Sequence, residues 1–166
     1  PVHPKLHRVP VLISGPHVAE AEAQMQALGM DVGLAEGPVG TASAIKLCRS
    51  IIVKGLEAIS AEMLLAARQL GVEQTVLASL DASYPGFDWV KRGSYALDRM
   101  MVHGQRRSSE MIETAKMVTA LDLPAQMSGA AAEWQRTIGE LGIDPGADDL
   151  ATRTDLLLAA LLPVKG

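Results

Sequence analysis

Gly37-Pro38-Val39-Gly40-Thr41-Ala42-Ser43-Ala44-Ile45-Lys46-Leu47-Cys48-Arg49-Ser50 is a glycine-punctuated turn that leads into a long proline-free stretch. Gly37 and Gly40 suit a tight backbone turn, and from Thr41 to Leu70 there is no proline and only one glycine, Gly55. The pattern predicts one helix of about thirty residues, ~45 Å long at 1.5 Å per residue. Its apolar residues fall at Ile45, Cys48, Ile52, Leu56, Ile59, Met63, Ala66 and Leu70, a stripe at helical spacing, with Leu47 and Ile51 adding a second face in the first half. A helix apolar on two sides is expected to lie between packed layers. The stretch is therefore expected to be the spine between a sheet domain and a helical domain, with Lys46 near the junction.

Toward the N-terminus, Arg8 to Gly15 reads as a strand ending in a turn, and Pro16 stands where a first helical residue often does. Val18 to Leu28 is amphipathic and closed by Gly29, and a second short strand runs from Met30 to Leu34. Two strands are marginal alone, so they are expected to form the edge of a larger sheet. The first residue is proline rather than methionine, which agrees with a trimmed product or the later portion of a longer polypeptide.

Toward the C-terminus the chain reads as helix throughout. Gly71-Val72-Glu73 restarts a helix through about Leu80, and Ser83-Tyr84-Pro85-Gly86 breaks it. One helix is expected from Phe87 to about Val102, with Gly93 as a weak point, and a separate one from about Gln105 to Leu121 after His103-Gly104. Ala125 to Leu141 follows, and a last helix starts at Asp148 or Asp149 and carries a leucine-rich run to Pro163. The fold class expected is mainly α, with residues 1–38 as the edge of an α/β domain and residues 39–166 as a helical domain.

Composition narrows the function. The net charge of -4 argues against a general nucleic-acid or anionic-membrane binder. Apolar residues make up 48% and aromatics 3%, so the core must be built from Leu, Ala, Ile, Val and Met, as in interdigitated helices. The single cysteine, Cys48, cannot form an internal disulfide and fits a reducing cytoplasm. The longest apolar run, Leu156 to Val164, falls short of the ~20 residues that a spanning helix needs.

Lys46 lies about one and a half turns into the spine. There the positive end of the helix and an apolar surround would both lower the pKa of an amine. Such a lysine can pass a proton near neutral pH, which suits a carbonyl/alcohol interconversion. The plainer alternative is a snorkelling surface lysine. The Gly37 to Gly40 turn could cradle a phosphate, yet it matches neither common fingerprint, and Ser14-Gly15-Pro16 fails the same tests. Histidines 3, 7, 17 and 103 offer no metal-ligand spacing, and no metal is expected. His103 precedes Gly104-Gln105-Arg106-Arg107, where either arginine could bind a carboxylate or phosphate, or form solvated pairs with Glu110. Cys48 and the methionines read as core filler, and Asp144, Asp148 and Asp149 as capping residues.

Gly37 to Cys48 resembles the G-x-V-G-x-G-x-x-x-K-[IL]-x-x-N segment of the β-hydroxyacid dehydrogenase family, which includes hydroxyisobutyrate and 6-phosphogluconate dehydrogenases. Pro1-Val2-His3-Pro4 resembles its P-V-S-G-G loop, and Val11 to Gly29 the last strand and helix of its nucleotide-binding domain. Arg99 to Met111 and Ala132-Glu133-Trp134 resemble the subgroup with a phosphogluconate-dehydrogenase-like C-terminal domain. The resemblance implies an oxidoreductase dependent on NAD or NADP, in which residues 1–38 end a Rossmann-type domain and the helical domain binds substrate and forms a homodimer. Lys46 matches the catalytic lysine, and Gly40, Ser50, His103, Arg106 and Arg107 are implied substrate contacts. Ser50 stands where the family has asparagine, and Val53 where the phosphogluconate enzymes carry an acid. No G-x-G-x-x-G occurs in the chain, so by itself it is expected to bind the dinucleotide poorly or not at all. The expected partner is a small hydroxyacid or related carbonyl compound. The rival expectation is a helical dimerisation module without catalysis.

Overall fold

The computed structural model describes residues 9–162. They contain two strands and six helices, and the chain divides into two compact units at Arg49/Ser50, inside its second helix.

The first unit is a strand-helix-strand element: β1 (Val11–Ile13), α1 (Val18–Ala27) and β2 (Val32–Leu34). The strands pair in parallel, with Val11 opposite Val32 and Ile13 opposite Leu34, as a helical crossover requires. Gly29 ends α1 in a left-handed conformation (φ 76°), and its N–H donates to the Gln26 carbonyl at 2.8 Å. Pro16 precedes the helix rather than opening it, because His17 occupies the N-cap. No side chain of α1 is buried.

The turn after β2 is built as its glycines suggest. Gly37 (φ 134°) and Gly40 (φ 99°) both adopt backbone angles that side chains disfavour, and a Cβ on Gly37 would stand 2.6 Å from Thr41 Oγ1. The hydroxyl of Thr41 donates to the Pro38 carbonyl at 2.9 Å. Ser14, at the end of β1, accepts from the Ala42 N–H at 3.0 Å, which satisfies one of the orphan donors at the start of α2 (Thr41–Gln69). The spine helix is thus one element of 29 residues.

The second unit holds the rest of α2, then α3 (Glu73–Ser83), α4 (Trp89–Ala120), α5 (Gln126–Glu140) and α6 (Leu150–Leu161). Leu64, Leu97, Met100, Met111, Ile138 and Leu157 are fully buried at its centre. Asp149 caps α6, accepting from the Thr152 N–H at 2.8 Å. Asp148 instead accepts from Ser94 Oγ at 2.6 Å and from the buried Arg153 at 2.9 Å, tying α6 to α4. Of the leucine-rich run, Leu157 is core, Leu158 and Leu161 pack against it, and Leu156 and Leu162 are exposed.

Three expectations are corrected. His103-Gly104 does not separate two helices: α4 runs unbroken for 32 residues. Gly104 is there because α4 and α5 touch backbone to backbone, so that a Cβ on it would stand 2.2 Å from the Gln135 carbonyl oxygen and one on Gly139 2.6 Å from the Gln105 nitrogen. Next, the apolar stripe expected to be buried on α2 is largely exposed, at Ile45, Ile52, Ile59 and Leu70. The buried face of α2 carries Ser50, Lys54 and Glu57 beside Ala58, Ala61, Leu64 and Leu65, since its ions find partners on neighbouring helices. Lastly, Cys48 and Met127 are exposed rather than core filler.

Candidate functional site

In the first unit, Lys46 follows Thr41 by five residues, about one and a half turns into α2 at 3.6 residues per turn. Its side chain is exposed. Gly40 is exposed as well, and a Cβ there would meet nothing within 4 Å, so glycine is required by its positive φ rather than by crowding. The Ser14-Gly15 turn is not an open phosphate cradle. The Ser14 hydroxyl is engaged with Ala42, and a Cβ on Gly15 would meet a Val39 methyl at 3.2 Å.

In the second unit the other candidates separate into a groove and a buried cluster. His103, half-buried, and Arg106, whose side chain is 63% exposed, both line a groove of about 690 Å3 with Gly139, Ile143 and Asp144. Burial holds the His103 pKa below its ordinary value, and the nearby guanidiniums of Arg99, Arg106 and Arg107 push the same way. The imidazole is therefore biased toward its neutral form. Arg106 Nη1 pairs with Glu110 Oε1 at 2.8 Å, the solvated pair anticipated from sequence.

Arg107, one residue on, turns inward. It is buried and pairs with Glu57 of α2 at 3.1 Å, so it does not line the groove. Gln135 of α5 donates to the other oxygen of Glu57 at 2.8 Å, so three helices meet on one carboxylate. Burial raises the Glu57 pKa above the ordinary carboxylate value, against the opposing pull of Arg107, Gln135, Lys54 and Arg99. Ser50 is 4% exposed, and its hydroxyl accepts from Lys54 Nζ at 3.0 Å. Lys54 in turn lies 2.9 Å from Glu110 Oε2.

His103 and Arg106, three residues apart on α4, line one groove, whereas Lys54, Glu57 and Gln135 were not among the residues expected from sequence. A signal was present: Lys54 and Glu57 are three residues apart on α2, Arg107 and Glu110 three apart on α4, with opposite order of charge. The pairing itself requires the helices to be juxtaposed. Among the described residues no group of three or more His, Cys, Asp or Glu side chains could hold a metal ion, and no helix is long and apolar enough to cross a membrane. His3 and the Pro1 to Pro4 segment lie outside the described residues.

Comparison with known proteins places this fold. The chain is structurally similar to the 3-hydroxyacid dehydrogenases through the conserved protein MTH1747, of unknown function, whose structure is described as revealing that similarity. MTH1747 is 28% identical to this chain, with a TM-score of 0.69, over 86% of this chain and 55% of its own. A conserved hypothetical protein from Sinorhizobium meliloti 1021 is 33% identical, with a TM-score of 0.85, over 96% of this chain and 55% of its own. The chain thus spans about half the length of both. Residues 67–138 match a family model described as a domain of unknown function, DUF1932. No curated protein matches the chain.

Proposed function

We propose that this chain is part of an NAD- or NADP-dependent oxidoreductase that interconverts a small hydroxyacid, or a related carbonyl compound, with its redox partner. The observation that carries the proposal is the glycine turn that launches α2 and presents Lys46 one and a half turns along it, exposed at the positive end of a 29-residue helix. Lys46 gives a proton to the carbonyl oxygen in one direction and takes it from the hydroxyl in the other. Within the second unit, His103 and Arg106 bind an anion in their groove. Ser50, buried, accepts from Lys54, while Arg107 holds the frame through Glu57.

Of the two strand-to-helix turns in the described residues, the one from β1 to α1 leaves no open cradle for a dinucleotide phosphate. A Cβ on Gly15 would meet a Val39 methyl at 3.2 Å there, and the Ser14 hydroxyl is already engaged with Ala42. The nicotinamide supplies hydride chemistry where it is bound; this chain supplies proton transfer and anion binding. The test is the absorbance at 340 nm of the full-length protein given hydroxyisobutyrate and other short hydroxyacids with NAD or NADP. Reduction of one nucleotide is expected, and no reduction with either across the series overturns the proposal.

A second reading, dimerisation through the helical unit, is favoured by one specific surface. α2 and α5 frame an apolar groove of about 540 Å3 in which Ile52 is 71%, Ile59 55% and Met127 69% exposed. Its one charged side chain, Glu62, is tied to the Trp134 indole N–H at 2.8 Å. A face so poor in charge suits the core of an interface, and we assign it to a second copy of this chain. Sedimentation equilibrium is expected to give a dimer that Ile59→Glu converts to monomer; a folded wild-type monomer at high concentration rules the dimer out.

A further inference from the structure

Lys54 is a buried amine that neither the resemblance nor the proton chemistry uses. It is 7% exposed, and a cation so far from water needs a carboxylate beside it. That carboxylate is Glu110, whose Oε2 lies 2.9 Å from Lys54 Nζ. The same carboxylate presents Oε1 to Arg106 at 2.8 Å. One negative charge is therefore shared by two cations, one interior and one at the groove, and the three groups together carry a net charge of about +1 at neutral pH. The two cations are not equivalent. Lys54 cannot give up its partner without being stranded in the interior, whereas Arg106 is bathed in water and held by an ordinary exposed i,i+4 pair. The surplus charge is thus expressed at Arg106. Asp144, the carboxylate that shares the groove, accepts the Gly146 N–H at 2.9 Å.

We propose that Lys54 is a positioning residue for anion binding: by neutralising Glu110 from the interior, it makes the Arg106 guanidinium available in the groove for a carboxylate or phosphate oxyanion. This rests on the reading that Arg106 binds an anion in its groove. No bond is made or broken; the anion exchanges with Glu110 at Arg106, while Glu110 keeps Lys54.

The test is an NMR titration of the chain with malonate and, separately, with inorganic phosphate, followed at the side-chain resonances of His103 and Arg106. The wild type is expected to show a saturable shift with at least one probe, and which probe does so separates a carboxylate from a phosphate ligand. Lys54→Met is expected to weaken that binding about fivefold, the scale of one exposed ion pair turned against the ligand. Lys54→Arg is expected to stay near wild type. The double variant Lys54→Met/Glu110→Gln removes the cation and its carboxylate together and is expected to restore wild-type affinity, which a merely structural lysine would not allow. Should Lys54→Met fail to fold, the charge-neutral double variant still decides, because weak binding there contradicts the proposal. Wild-type binding that is unchanged in Lys54→Met overturns this inference alone. No saturable shift with either probe overturns both it and the assignment of an anion to Arg106.

Discussion

Gly104→Ala is expected to destabilise the helical unit by about 3 kcal/mol or more, at the upper end of what overpacking costs, and to lower the melting temperature by roughly 10 °C. The reason is local and severe. The added methyl would sit 2.2 Å from the Gln135 carbonyl oxygen and 2.8 Å from the Gly139 Cα, and both are backbone atoms that cannot swing aside as a side-chain end would. Relief requires α4 and α5 to separate, which opens the packing around Met100, Met111 and Ile138. Gly139→Ala meets the same obstacle from the other helix, at 2.6 Å from the Gln105 nitrogen. Gly129→Ala is the control. It lies on the same α5, with nothing within 4 Å of its Cβ position, and is expected to raise stability by up to about 1 kcal/mol through helix propensity. Thermal unfolding of the three variants by circular dichroism checks the contrast. Equal melting temperatures for Gly104→Ala and Gly129→Ala would remove the close crossing of α4 and α5.

Under the proposed function, Lys46→Met is expected to reduce turnover of the full-length protein by about two to four orders of magnitude, the usual contribution of a positioned general acid or base. The same change is expected to leave stability within about 0.5 kcal/mol, because Lys46 is exposed and methionine keeps the length and helix propensity of the side chain. The combination is diagnostic. A structural lysine would show its effect in the melting curve, and a proton carrier shows it in kcat. The measurement is the rate of nicotinamide reduction at saturating hydroxyacid alongside the unfolding midpoint, and unaltered turnover would end the claim that Lys46 handles the proton.

Much of the local architecture could be read directly. Gly29 closes α1, Asp149 caps α6, and the Gly37 and Gly40 turn launches α2 at Thr41, because each depends on a residue's own backbone preference or on a partner a few positions away. The exposed pair of Arg106 with Glu110 was legible for the same reason, since four residues on a helix fix the distance. Where those preferences were ambiguous, the reading failed. Gly104 is locally a helix breaker and tertiarily a contact point, and nothing within a few residues of it reveals Gly139, 35 positions away.

The face of α2 shows the same division. Its apolar stripe at Ile45, Ile52, Ile59 and Leu70 obeys helical spacing, and periodicity assigned it to the core of a single chain. In the structure the interior face is the one carrying Lys54 and Glu57, because Glu110, Arg107 and Gln135 arrive from α4 and α5 to meet them. A buried charge is tolerated only when a distant helix brings its counter-charge. The sequence by itself determined most of the helix ends, the false break at Gly104 excepted, that a strand-helix-strand element precedes them, and that Lys46 sits near the head of a long rod. Tertiary structure alone decided which side of that rod is inside, that two helices meet without side chains between them, and that of two adjacent arginines one faces water and the other a buried carboxylate. Local preferences act over a few residues, whereas burial and ion pairing are properties of surfaces that come together only when the chain has folded.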